Sequence, residues 1–368
     1  MADYRQHPID PQWVARFQAA LKVNVTGIVT EETLQVFAQR QVDEGAKKPE
    51  PKFWMGSGRA LAAKMFPDLS VKEQAFAAKA PPRAKGQAVS SLGSEDAAVR
   101  KHGYAGMADY VAKFQTMKFM GKSVVGHALF IERLQMAQRY LALKHPGMDD
   151  TALGKLFGVT SVSHYRPSTE ANPQAYHGLG FAIDFNPANN PWILGTNSGK
   201  SKENREQTSE IIARATRFMG SGEAVDLEML KGLGKKATTD EAFERLDASS
   251  KALRDYRAMG RDRSLLETHL AGPGVPADIK DQGADHWFKQ IQADHLAYSK
   301  RNWKKGNKED GLMDLNKSLV EAMRDAAGLS WGFIDIGDAS GEIMHFDGRT
   351  IGLANDIRKA REASKAKS

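Results

Sequence analysis

Two short apolar runs limit what this chain can fold into. FAIDF at residues 181–185 and SWGFIDIG at residues 330–337 have the β-branched and aromatic content of buried strands. Between them, at about residues 198–310, lies a charged, helix-patterned stretch containing EQTSEIIARATRFM, DEAFERLDASSKALRDYRAM and ADHWFKQIQADHLAYSKRNW. The Gly- and Pro-rich break HLAGPGVPAD divides it. LVEAMRDAAG then reads as a helix leading into the second run. The order is strand, long helical insertion, helix, strand. Such strands can still be neighbours in one sheet if the insertion leaves from a loop and returns to it. The expected fold is therefore α+β: a small antiparallel sheet flanked by helices, with one large helical insertion.

Upstream, residues 125–144 (VGHALFIERLQMAQRYLALK) predict a long amphipathic helix ended by HPG, and LFGVTSV predicts a strand. Near the start, WVARFQAALKV and EETLQVFAQRQV read as two helices joined by a turn at Gly27, the second capped by Thr30. The stretches KKPEPK, AKAPPRAKGQ and SSLGSED between them read as linker with one short helix near residues 60–66. The expected division is a helical module over residues 1–46, a linker over 47–105, and a main domain over 106–368 carrying the insertion.

The chemistry is concentrated in two segments. HYRPSTEANPQAYHGLGFAIDF holds His177 and Asp184, and GEIMHFDG holds Glu342 and His345. The chain has no cysteine, so disulfides, thiol nucleophiles and Cys-held metals are excluded, and any metal must sit on His, Asp or Glu. Catalytic zinc needs three protein ligands, an open fourth position and a base that reaches water without ligating the metal. His177, Asp184 and His345 supply such a ligand set, and Glu342, three residues before His345, is placed to serve as the base.

The other histidines fit poorly. His7, His102, His127, His145 and His269 read as ordinary surface or core residues, and His164 as a residue that lines the cleft at most. His286 and His295, nine apart on a predicted helix, face nearly opposite sides and cannot ligate together. GTNSGKS at residues 195–201 imitates a phosphate loop, but Gly195 and Gly199 enclose three residues where that loop needs four.

Taken together, Tyr165-Arg166, His177-x6-Asp184, Trp331-Gly332 and Glu342-x-x-His345 resemble the zinc metallopeptidases that include D-Ala-D-Ala carboxypeptidases, D-Ala-D-Ala dipeptidases and phage L-alanyl-D-glutamate endolysins. The resemblance covers about residues 125–197 and 318–350. It implies zinc on His177, Asp184 and His345, carried by the small sheet, with Glu342 as general base. It also implies Arg166 as a catalytic cation that steadies a carboxylate or oxyanion, with Tyr165 and Trp331 beside it as substrate contacts. Two positions depart from the family: Ala175 stands where a Ser is frequent, and Phe333 replaces a second Gly after the Trp, which would reshape the cleft floor. The N-terminal pattern FQxxL, TGxVTxxT, FAxxQ resembles the small peptidoglycan-binding module of wall hydrolases.

Together these resemblances imply a peptidoglycan hydrolase that cuts a stem peptide as a D,D-carboxypeptidase or L-Ala-D-Glu endopeptidase. Its context would be a phage endolysin or an effector loaded into a secretion or injection apparatus. MADYRQHPIDPQ lacks a signal-peptide pattern and no apolar run reaches about 20 residues. The expectation is synthesis in the cytoplasm, no membrane span, and action in the periplasm or cell wall after non-classical delivery. The rival is a zinc-containing wall-binding or structural protein of an injection machine without activity, against which the presence of Glu342 argues. Net charge +7 with pI near 9.3 suits anionic partners. No Arg/Lys stripe with interleaved aromatics marks a nucleic-acid binder, so none is expected as a partner.

Overall fold

The computed structural model describes residues 9–53, 55–65, 94–166, 175–187, 189–190, 192–193, 201–222, 225, 237–299, 311–336 and 341–365. The fold is α+β with two antiparallel sheets, one of two strands and one of four. No helix among the described residues is long and apolar enough to cross a membrane.

The first two helices form where their caps dictate. Asp10 accepts from the Gln12 N–H to start α1 (Pro11–Leu21), and Thr30 accepts from Thr33 N–H to start α2 (Glu31–Asp43). With α3 (Gly56–Met65) they enclose a small aromatic core of Trp13, Phe17, Phe37 and Phe53. Buried Gln18 holds the intervening turn: its Oε1 accepts from Thr26 and Gly27 N–H, and its Nε2 donates to Ile28 O. The expected linker is divided by packing. Phe53 and Ala62 belong to the small core, whereas Val99 of α4 (Ser94–Lys101) is buried in the main one. Residues 66–93, with AKAPPRAKGQ, lie outside the described residues.

After α5 (Met107–Ala112), a hairpin stands where the long helix is expected to begin. β1 (Phe114–Phe119) and β2 (Lys122–His127) pair through a turn at Met120 and Gly121, both at positive φ. The helix, α6 (Ala128–Lys144), therefore starts three residues later, capped by the His127 side chain. LFGVTSV is likewise not a strand throughout. Asp149 caps α7 (Asp150–Leu156), Gly158 turns the chain at φ 64, and only Val162–Ser163 pairs, as β3.

The four-stranded sheet has the order β3, β4 (Ala182–Phe185), β6 (His345–Asp347), β5 (Ser330–Trp331). The two runs expected to be neighbours do share this sheet, although SWGFIDIG contributes only two strand residues before it turns. The helices Ser201–Met219, Thr239–Met259, Arg263–Ala271 and Ala277–Ser299 form the insertion. Ile212, Leu246, Tyr256 and Ile291 from these helices lie in the same buried core as Ile183 and Phe346 of the sheet. Residues 195–200 of GTNSGKS lie outside the described residues.

Two polar clamps hold the insertion's root. Asp314 Oδ2 accepts from Asn189 at 2.7 Å and Asn186 at 3.1 Å, and its backbone N–H donates to Asn190 Oδ1 at 2.7 Å. The outgoing and returning chains are thereby bound side by side beneath β4. On the other flank, fully buried Arg324 grips Asp335 with Nε at 2.8 Å and Nη2 at 2.9 Å, and reaches Thr239 and Ala237 of the insertion. Asp335 also accepts the Trp331 N–H at 2.8 Å. A helix, Gly352–Lys365, closes the fold by packing on α4 with an Arg361–Glu95 ion pair, so the basic segment RKAREASK is ordered structure.

Candidate metal centre

His177 opens a one-turn 3₁₀ helix, His177–Leu179, that ends at Gly180 with φ 70. A Cβ at Gly180 would stand 2.5 Å from the Phe114 ring, so both the backbone and the space demand glycine. The chain then enters β4, where Asp184 meets His345 as its direct partner on β6. Gly332 makes room on the other side: a Cβ there would lie 2.9 Å from that of His345 and 2.5 Å from Glu342 O.

The result is a convergence of three donor side chains. His177 Nε2 lies 3.1 Å and His345 Nδ1 2.8 Å from Asp184 Oδ1, and all three ligand atoms fall within 4.8 Å of one another. All three side chains are buried. The far nitrogens are occupied. His177 Nδ1 lies 2.8 Å from His164 O and His345 Nε2 3.1 Å from Asp347 Oδ2, so each outer N–H has an acceptor. Because a carbonyl cannot donate, His177 Nδ1 carries a hydrogen, which leaves Nε2 as the nitrogen that would offer a lone pair to a cation. Lone pairs facing one another at this range repel unless a cation stands among them. A proton serves one pair; a divalent ion serves all three. The residues fit a metal ion, and they are close enough to bind one.

Without an ion, the three groups bond to one another. Burial alone would push the Asp184 carboxyl up, but its bonds from His177 and His345 hold it well below the usual carboxylate range. Burial would likewise favour a neutral His345, yet Glu342, Asp184 and Asp347 around it outweigh that and raise it well above the ordinary histidine value. Burial pushes Glu342 up, partly offset by the neighbouring His345. No hydrogen bond or ion pair to the Glu342 carboxylate is present among the described residues, so its oxygens remain available beside the three donors.

The remaining expected site residues separate. Arg166 joins the centre, donating from Nη2 to Asp184 Oδ2 at 2.9 Å while its side chain stays 46% exposed. Tyr165 is half-buried and packs edge-on against Phe114 at 5.0 Å, on the hairpin side. Trp331 is not at the surface. It is fully buried and its Nε1 donates to Ile343 O at 2.9 Å, which corrects its expected role as a substrate contact: it props the Glu342–His345 loop from below. Phe333 is also fully buried, 5.0 Å from Trp331, and so does not form a cleft floor. Ala175 is exposed beside the turn.

His164 contributes its backbone carbonyl to His177, while its ring Nδ1 accepts from Val125 N–H. His102, His127 and His269 take ordinary hydrogen-bond partners, His145 packs edge-on against Phe157 with no hydrogen-bond partner for its buried Nε2 among the described residues, and His7 lies outside them. Asp347 and Arg349 behind His345 escaped notice in the sequence. The available signal was period two: on a strand, the residue two after a ligand shares its face. In comparisons with known proteins, no family model, no curated protein and no solved structure matches this chain.

Proposed function

We propose that this protein is a zinc-dependent peptidase that hydrolyses an amide bond of peptidoglycan stem peptides. The observation that carries the proposal is the convergence of His177 Nε2, Asp184 Oδ1 and His345 Nδ1, with the half-buried Glu342 carboxylate alongside. Two imidazoles and one carboxylate form a donor set suited to zinc, and three protein donors leave a tetrahedral ion one open position. When bound there, zinc would supply Lewis acidity to a carbonyl and lower the pKa of water. The chain's own residues do the rest. Glu342 takes a proton from the attacking water and returns it to the leaving nitrogen. Arg166, tied through Nη2 to Asp184 with its side chain 46% exposed, offers donors to a substrate carboxylate or to the developing oxyanion.

The wall as substrate rests on the resemblance of the two motif segments and of the N-terminal helical pair, whose aromatic core and Gln18-held turn form one packed unit. D,D-carboxypeptidase and L-Ala-D-Glu endopeptidase activities are the two candidates. Delivery as an endolysin or an injected effector, with action in the periplasm or wall, belongs to the same proposal. The test is incubation of purified cell-wall sacculi with zinc-loaded protein and mass spectrometry of the released peptides. New termini at a stem-peptide bond, absent with Glu342→Gln, support the proposal. Intact sacculi with a protein that binds zinc stoichiometrically would instead point to the non-catalytic wall-binding role.

A further inference from the structure

The carboxylate behind His345 has an arrangement the peptidase proposal does not itself require. Asp347 is fully buried, two residues along β6 from His345, and its Oδ2 lies 3.1 Å from His345 Nε2. Arg349 clamps the other side: its backbone N–H and its Nε reach Asp347 Oδ1 at 3.0 and 2.8 Å. The Arg349 guanidinium in turn lies over the Tyr176 ring, 5.2 Å from its centre, and Tyr176 directly precedes His177. A carboxylate paired in this way offers only acceptors, so the hydrogen on Nε2 of His345 points at Asp347 and Nδ1 is left for the centre. One shelf of three side chains thus supports both imidazoles, one by hydrogen bond and one through the chain beside it.

We infer that Asp347, clamped by Arg349, is a positioning residue that fixes His345 as an Nδ1 ligand and sets the affinity of the centre for zinc. The inference rests on the metal-centre reading above. Hydrogen-bonded carboxylates behind ligating histidines orient the ring and raise its basicity, and their loss commonly costs 10–100-fold in metal affinity. Tyr176 adds an apolar seat that keeps Arg349 from swinging out to water.

Zinc dissociation constants from competition with a chromophoric chelator test this on the full chain, alongside cadmium-113 to nitrogen-15 couplings that identify the ligating nitrogen. Wild type is expected to show coupling to His345 Nδ1. Asp347→Asn keeps the shape and is expected to bind zinc about 10–100-fold more weakly, with the His345 coupling lost or moved to Nε2. Arg349→Met keeps the contact with Tyr176 and should weaken binding by a smaller factor; it decides the matter if Asp347→Asn does not fold. Unchanged affinity and unchanged Nδ1 coupling in the folded variants would overturn the positioning role while leaving the metal centre standing. A wild-type protein that takes up no zinc would remove the centre itself, and the positioning role with it.

Discussion

Asp184 and His345 face each other across two antiparallel strands, carboxylate oxygen to Nδ1 at 2.8 Å, although 161 residues separate them in the chain. Sheet register therefore sets the spacing of the centre, and a one-residue slip of β6 would turn His345 to the opposite face. His177 then completes the set from a rigid turn.

Zinc should therefore stabilise the fold. At a free concentration 100 times its dissociation constant, a ligand that binds only the native state adds about 2.7 kcal/mol. Thermal melts with zinc and with excess chelator are expected to differ accordingly, with the gap growing with zinc concentration. His345→Ala should abolish the gap. Melting curves that ignore zinc would count against the centre.

Replacing Glu342 with Gln should leave zinc stoichiometry intact, since its carboxylate is not among the three converging donors. Turnover on sacculi or a stem-peptide substrate should fall by about 10²–10⁴, the usual contribution of a positioned base. Loss of metal instead of rate would make Glu342 a ligand.

The buried Arg324–Asp335 clamp should be costly to break. Arg324→Met strands a carboxylate that is 6% exposed and still bonded to the Trp331 amide, a situation worth about 3–5 kcal/mol. Urea denaturation measures this directly. A loss below about 1 kcal/mol would show that the clamp is dispensable.

His127 gives the fold an acid sensitivity separate from the centre. The ring is buried, stacked on Tyr110 at 4.7 Å and Phe181 at 5.0 Å, and caps α6 through Nδ1. Burial, with a contribution from Lys113, lowers its pKa from 6.5 to about 3. Between those values the unfolded chain binds a proton that the folded one refuses, so stability falls as pH falls. The slope is about 1.4 kcal/mol per pH unit, or about 2 kcal/mol between pH 6.5 and 5. Urea midpoints in chelator should show this excess loss in wild type and not in His127→Gln. Parallel loss in both proteins would mean the ring already titrates normally.

The three converging donors were legible in the sequence because metal chemistry restricts residue type more tightly than folding does. With cysteine absent, few arrangements of His and Asp could serve, and His177, Asp184 and His345 do converge. The strand, insertion, strand order was legible for the same kind of reason, since a charged helical stretch cannot run through a small buried sheet. The features that escaped depend on partners distant in the chain or on a single turn. Val124 and Val125 continue an apolar pattern that suits a helix, and only the positive-φ turn at Met120 and Gly121 commits them to a hairpin. Trp331 reads as a cleft aromatic, but its indole N–H is satisfied by the Ile343 carbonyl and its ring by Phe333. Asp314 gives no local sign that it will bind Asn186, Asn189 and Asn190, more than a hundred residues earlier.

The long separation between Asp184 and His345 also sets a clock. A ribosome adding about 5–20 residues per second needs roughly ten to thirty seconds to travel the 161 positions from Asp184 to His345. Throughout that interval a growing chain holds His177 and Asp184 without their third partner. A product cut short within the insertion lacks His345 and so carries only two of the three converging donors, and the cell that makes the protein meets a complete donor set only after the insertion has been synthesised.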